Sequence, residues 1–440
     1  MFDFKSRRTK LLSKIGNNAA IVTSNNLKQR SNDTEFSFRQ SSNFYYLTGH
    51  LEDNAILLLT PNSKDKTHLF VQKKDPFLEL WNGKRLGIDQ AKVKYSIDCV
   101  YDIDDFSKLY QELIINHDSL YVELETKFWK RGDVLKGFKD LLNKRIKAGK
   151  FAPRNLLNIT PLIQELRAYK SQEEIETMKH ALKITNKAHR MAMAYTKDGV
   201  YEYQIQGMLE LVCKLNDNCP MAYGSIVASG NNANILHYVE NNTKVKNGDL
   251  LLIDAGCEYN LYASDITRTF PVSGKYEGEA KALYEMVLDV QRSDIESIAP
   301  GLTLNEITEK SAEKLLDGLL SLKVLTGSKE EHIEKKSSRK YFPHGLGHWL
   351  GLDVHDQNPY TDSSGELIKF QKGMVITIEP GIYIPEDDLS VDEKWRGIGI
   401  RIEDNILITD NGFENLSNHI PKEVVDVEEA CSKDWRSFLD

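Results

Sequence analysis

The 440-residue chain is poor in cysteine, with five, an odd number and no CxxC pair. Cys99, Cys213, Cys219, Cys257 and Cys431 therefore fit neither a secreted disulfide framework nor a structural zinc site, and they point to a reducing cytoplasm. No segment approaches the roughly 18–20 consecutive apolar residues that span a bilayer. The N-terminal MFDFKSRRTKLL has no long apolar run behind its basic residues, so no secretory signal is expected. Positive charge is in deficit too. A formal net charge of −8 argues against a general affinity for nucleic acid or anionic membrane. What is present, 40% apolar and 28% charged residues, is the composition of a globular protein, and the length is too great for one ordinary core. Two domains are expected.

The first part of the chain alternates strand-like and helical stretches. AILLLT (55–60) and HLFVQ (68–72) read as strands, and LYQELIINH (109–117) and GFKDLLNKRIK (137–147) have helical spacing of apolar residues. A mixed α/β domain over 1–170 is predicted. Ser171 followed by Glu174 predicts a capping box, in which each side chain satisfies a free N–H at the helix start. Helical periodicity then runs to about residue 196. The domain boundary is placed in 166–175, with no low-complexity linker, and the second domain over 171–440.

That second domain echoes itself. NGDLLLIDAGCEY (247–259) and KGMVITIEPGIY (372–383) share a Gly, a run of apolar or hydroxyl residues, a carboxylate and a second Gly. Gly248 precedes Asp254 by the same interval as Gly373 precedes Glu379. Each unit is followed by another strand carrying an acid, Ala263–Phe270 with Asp265 and Gly399–Ile408 with Glu403. Two halves of one domain are predicted, each a bent hairpin with two carboxylates, accompanied by helices over 279–298 and 303–320. Asp254 and Glu379 end apolar strands, where an unpartnered carboxylate is expensive. Arg268 and Arg401 are too few to neutralise Asp254, Asp265, Glu379 and Glu403 together. One or two divalent metals would do so.

YFPHGLGHWLGLDVHD (341–356) places His344, His348 and His355 among apolar residues. His344 and His348 are four apart, as in the HExxH zinc helix, but the glutamate is absent. Gly345 and Gly347 would each cost a helix up to ~1 kcal/mol. A single imidazole joining four carboxylates makes an oxygen-rich site that suits Mn²⁺ or another hard divalent ion better than zinc. Two ions sharing carboxylates would activate a water for hydrolysis, leaving the other histidines for proton transfer or oxyanion stabilisation.

Together, ILHY (235–238), IDAGCEYNLYASDITRTFPV (253–272), HGLGHWLGLDVHD (344–356), TIEPGIY (377–383) and GIGIRIEDN (397–405) resemble the bacterial aminopeptidase P (Xaa-Pro aminopeptidase) branch of the M24 metallopeptidases. EFSFRQSSNFYYLTGHLE (35–52) and LWNGKRLG (80–87) resemble that family's first domain. The resemblance implies an α/β (α+β) chain: an N-terminal mixed domain serving oligomerisation and substrate access, then a pseudosymmetric pita-bread catalytic domain. It implies a dinuclear site, usually manganese, held by Asp254, Asp265, His348, Glu379 and Glu403. It also implies substrate-facing roles for His237, His344 and His355, and supporting roles for Tyr383 and Arg401. Tyr223 and Trp81 would touch substrate, Trp81 from a neighbouring subunit of a homodimer or homotetramer. The implied activity is release of an N-terminal residue when proline follows it, by a bridging water, with Glu379 passing the proton to the leaving nitrogen.

Three rival readings remain at this point. Prolidase shares the fold and metals but cleaves only Xaa-Pro dipeptides. Methionine aminopeptidase normally lacks so large a first domain. A peptide-binding module that has lost its metals would not be expected to retain all five ligand positions and all three accessory histidines.

Overall fold

The computed structural model describes residues 2–124, 131–144, 146–147 and 149–439. The chain divides into two compact units, Met1–Arg167 and Ala168–Asp440. Among the described residues, no helix is long and apolar enough to cross a membrane.

The first unit is built on a six-stranded mixed sheet. In spatial order its strands are Cys99–Asp102, Thr67–Val71, Ile56–Leu59, Ala19–Thr23, Ser119–Val122 and Asn155–Asn158. The two strands expected from AILLLT and HLFVQ pair antiparallel, Ile56 opposite Phe70 and Leu59 opposite Thr67. Both are buried along their whole length, which is why they read as apolar runs rather than as an alternation. The helix expected over 109–117 runs from Phe106 to Leu113 instead. It stops there because the chain turns at Asn116, whose φ of 65° is left-handed and which asparagine tolerates. The helix expected over 137–147 is Arg131–Asn143, and residue 145 lies outside the described residues.

In the second unit the predicted cap is present. The Glu174 N–H donates to Ser171 Oγ and the Ser171 N–H to Glu174 Oε2, opening the helix Gln172–Tyr195. The two predicted halves follow. In one, Leu250–Asp254 lies between Ile226–Ser229 and Thr267–Pro271; in the other, Asp404–Ile408 lies between Val375–Ile378 and Phe413–Asn415. Gly248 and Gly373, the matched glycines of the echo, both have positive φ, 99° and 88°, so each first strand is entered by the same kind of turn. The helices Gly278–Glu296 and Leu304–Ser321 pack on a core shared by both halves.

One expectation needs correction. Ala263–Phe270 and Gly399–Ile408 are not continuous strands. Tyr262–Ala263 pairs with Glu258–Tyr259, and after a break Thr267–Pro271 pairs with Leu250–Asp254. Likewise Ile398–Arg401 pairs with Gly381–Ile384, whereas Asp404–Ile408 pairs with Val375–Ile378. Each chain changes partner at a bend, and Asp265 and Glu403 sit in those bends. A carboxylate there leaves the pleat and points to where the halves meet.

Candidate active site

A cavity of about 430 Å³ lies between the halves, lined by Asp254, Asp265, Glu379 and Glu403 and by His237, His344, His348 and His355. Asp254 closes its strand and Glu379 follows its own. Asp265 and Glu403 come from the bends, and His348 arrives on the segment after Gly347. That segment runs tight against the second half: the His348 N–H donates to Thr377 Oγ1 at 3.0 Å, and the Glu379 N–H to the Leu346 carbonyl at 2.8 Å. A Cβ on Gly347 would come within 1.9 Å of the Thr377 carbonyl oxygen, so only glycine lets the backbone pass there.

One ligand atom each from Asp265, His348 and Glu403 lie within 4.8 Å of one another. His348 Nε2 is 3.2 Å from Asp265 Oδ2 and 3.7 Å from Glu379 Oε1. Asp254 joins the group by two bonds: its Oδ1 accepts from the Tyr223 hydroxyl at 2.7 Å and its Oδ2 from Arg401 at 2.6 Å. Tyr223 also lies 2.5 Å from Asp265 Oδ1. A phenol has one proton, so it cannot donate to two ionised carboxylates at once.

The electrostatics repeat that frustration. Burial raises the Glu403 carboxyl well above its usual range, and Asp265, Glu379 and Asp254 push it further. Burial lifts Glu379 to about 7, with Asp265 and Asp254 adding to it against His348 and Arg401. Asp254 is raised by burial despite Arg401. Of the four, only Asp265 falls: burial pushes it up, but His348, Tyr223 and His355 together hold it below its usual range. Burial opposes charge on His348, yet Asp265 and Glu379 hold it up to about 9. Four acids around one arginine and one imidazole are therefore short of positive charge. An oxygen-rich set with one nitrogen donor fits hard divalent cations.

The remaining predicted residues surround this group. Arg401 donates to Tyr383 Oη at 2.9 Å, and that oxygen lies 2.8 Å from His344 Nε2. Burial, with Arg401 nearby, pulls His344 down to about 4, so its imidazole is neutral. His355 meets His348 edge-on with ring centres 4.2 Å apart. His237 is exposed on the wall, beside Leu236, Val239 and Val354. The histidine segment is thus less uniformly buried than its composition suggested: Leu346, Trp349 and Leu350 are inside, but His355 reaches solvent. Trp81 stands on the helix Pro76–Asn82 of the first unit, 73% exposed. Thr267, whose hydroxyl donates to Glu403 Oε2 at 2.7 Å, was not singled out from the sequence. Its one signal is the spacing in DITRTF, two residues after Asp265.

Comparison with known proteins gives the chain a family. Residues 176–410 match the model of metallopeptidase family M24, and residues 4–121 that of the aminopeptidase P N-terminal domain. The chain belongs to metallopeptidase family M24. Among similar M24 proteins, the Xaa-Pro aminopeptidase of Haemophilus influenzae is 39% identical over 97% of this chain and 96% of its own. The structure of Pseudomonas aeruginosa aminopeptidase PepP matches at TM-score 0.95 and 38% identity, covering 99% of this chain and 98% of that one. Escherichia coli aminopeptidase P with the inhibitor Pro-Leu matches at TM-score 0.93 and 36% identity, covering 99% and 98%. The M24 fold, with its aminopeptidase P first domain, is the architecture the sequence resemblance implied.

Proposed function

We propose that this M24 chain is an Xaa-Pro aminopeptidase, releasing the N-terminal residue of peptides whose second residue is proline. The observation that carries the reading is the convergence of four carboxylates and His348 on a cavity with an apolar rim. Asp254, Asp265, His348, Glu379 and Glu403 would hold two divalent ions, manganese being the choice that the oxygen-rich set favours. When bound, such a pair supplies Lewis acidity and lowers the pKa of water.

The chain's own groups do the rest. Glu379 takes the proton of the attacking water at its carboxylate and delivers it to the proline nitrogen. That nitrogen has no N–H and leaves only as it is protonated. His237 and His344 face the scissile carbonyl, His344 held in orientation by Tyr383. Arg401 fixes Asp254 and Tyr383 together. The rim residues Leu236, Val239 and Val354 exclude water around the substrate's apolar parts. Trp81 and its neighbours Phe77 and Leu80 form an exposed apolar helix face, which supports contact with a second copy. The free cysteines support a reducing, cytoplasmic setting.

An Xaa-Pro peptide panel from dipeptides to pentapeptides, with and without Mn²⁺, tests the reading. Turnover of Arg-Pro-Pro that requires added metal is expected after chelation. Turnover confined to dipeptides would assign a prolidase instead, and no turnover with no bound metal would leave a peptide-binding module.

A further inference from the structure

The two halves grip each other through matched side chains. Asn405 accepts from the Asp265 N–H at 3.1 Å and donates to the Asp265 carbonyl at 2.5 Å. Thr269 does the same for Arg401, donating to its carbonyl at 3.0 Å and accepting from its N–H at 3.2 Å. Between these rungs the Glu403 N–H donates to the Thr267 carbonyl at 3.1 Å. The pairs 265 with 405, 267 with 403 and 269 with 401 form an antiparallel seam. In its outer rungs side chains replace the backbone ladder.

Only in the middle rung does one member's side chain bond to the carboxylate of the other. Thr267 Oγ1 lies 2.7 Å from Glu403 Oε2 and 3.1 Å from Arg401 Nε. A guanidinium N–H can only donate, so it occupies a lone pair of the hydroxyl and commits the hydroxyl proton to Glu403. Thr267 is fully buried and Glu403 is 1% exposed, so water cannot replace that proton. The other arms of Arg401 hold Asp254 and, through Tyr383, His344.

We infer that Thr267 is a positioning residue: its hydroxyl relays the orientation of Arg401 to Glu403 and so fixes the rotation of that carboxylate for the metal pair. The inference rests on the two-ion reading above. With the hydroxyl gone, Glu403 loses the bond that fixes its rotation, and Arg401 Nε loses its acceptor. The seam itself, made by backbone and by Asn405 and Thr269, is left in place.

The test is Mn²⁺ binding to the metal-stripped full-length chain by titration calorimetry, with thermal melting of the metal-free protein alongside. The wild type should take up two ions. Thr267→Val, which keeps the shape and removes the hydroxyl, should weaken at least one step by roughly 10- to 100-fold. Thr267→Ser should restore it. If the valine variant does not fold, Thr267→Ala takes its place. Binding by the valine or alanine variant equal to wild type overturns the inference while leaving the two-ion reading standing. A serine variant as weak as the valine variant also overturns it, by assigning the effect to lost packing. A wild type that takes up no metal overturns both.

Discussion

His344, His348 and His355 share one short segment, but their neighbours set them apart. Only His348 lies against carboxylates. His344 faces a tyrosine hydroxyl and an arginine's field, and His355 sits edge-on to His348. Asp254 and Glu379, at the ends of apolar strands, marked a charge-poor site that one imidazole could join, and it was the resemblance to the M24 family that implied His348 for that place. Thr267 and the bridging position of Tyr223 were not legible, since hydroxyl and aromatic residues are ordinary strand formers. The separation predicts two different failures. Glu379→Ala should lower turnover by at least about 10²-fold and also reduce the bound metal, because one carboxylate serves as both ligand and proton carrier. His237→Ala should lose about 10²–10³-fold in kcat while retaining both ions. Metal analysis of desalted protein beside steady-state kinetics reads the difference. Loss of metal from the His237 variant would sink the division between ligands and accessory histidines.

The elements that bear the site are legible where the chain marks its own ends. Ser171 and Glu174 mark a helix start in any context, and the paired glycines mark both hairpins. The strand breaks at Asp265 and Glu403 leave no such mark, since the same apolar pattern continues while the pairing partner changes. The segment carrying His237 is equally silent, because it is ordered from elsewhere. Glu202, fully buried at the start of the helix Glu202–Leu215, takes five donors. Its Oε1 accepts from the Ser229 N–H, the Ser229 hydroxyl and Asn232 Nδ2, at 2.8, 2.8 and 3.1 Å. Its Oε2 accepts from the Tyr238 hydroxyl and the Thr243 N–H, both at 2.8 Å. Glu202→Gln would turn an amide against donors, leaving a buried clash worth on the order of 2 kcal/mol. The expected outcome is faster hydrogen exchange over 229–243, with kcat/KM on a Xaa-Pro tripeptide lowered about tenfold or more. Unchanged exchange in that segment would show that Glu202 does not order it.

At the scale of the molecule, the internal echo disclosed two halves but not their seam, which joins residues as far as 140 positions apart. The first unit shows a different limit, because the resemblance of 35–52 to a family domain gave no role to the histidine within it. His50 is 1% exposed there, edge-on to Phe44 and Tyr95, with Nδ1 3.3 Å from the Tyr95 hydroxyl. Burial, and then Lys94, pull its pKa from 6.5 down to about 4. Below 6.5 the unfolded chain takes a proton on this ring that the folded unit refuses until about 4. Stability is therefore intact above 6.5 and declines as the pH falls through that window. For this one group the loss by pH 5 is about 2 kcal/mol. Amides of the strands Ile56–Leu59 and Thr67–Val71 in the same unit should accordingly lose exchange protection between pH 7 and pH 5, after correction for intrinsic rates. His50→Gln cannot take the proton, so it should be weaker at pH 7 but flatter across the window. Equal loss of protection in both proteins would assign the acid sensitivity to other groups and leave His50 a packed aromatic with no part in it.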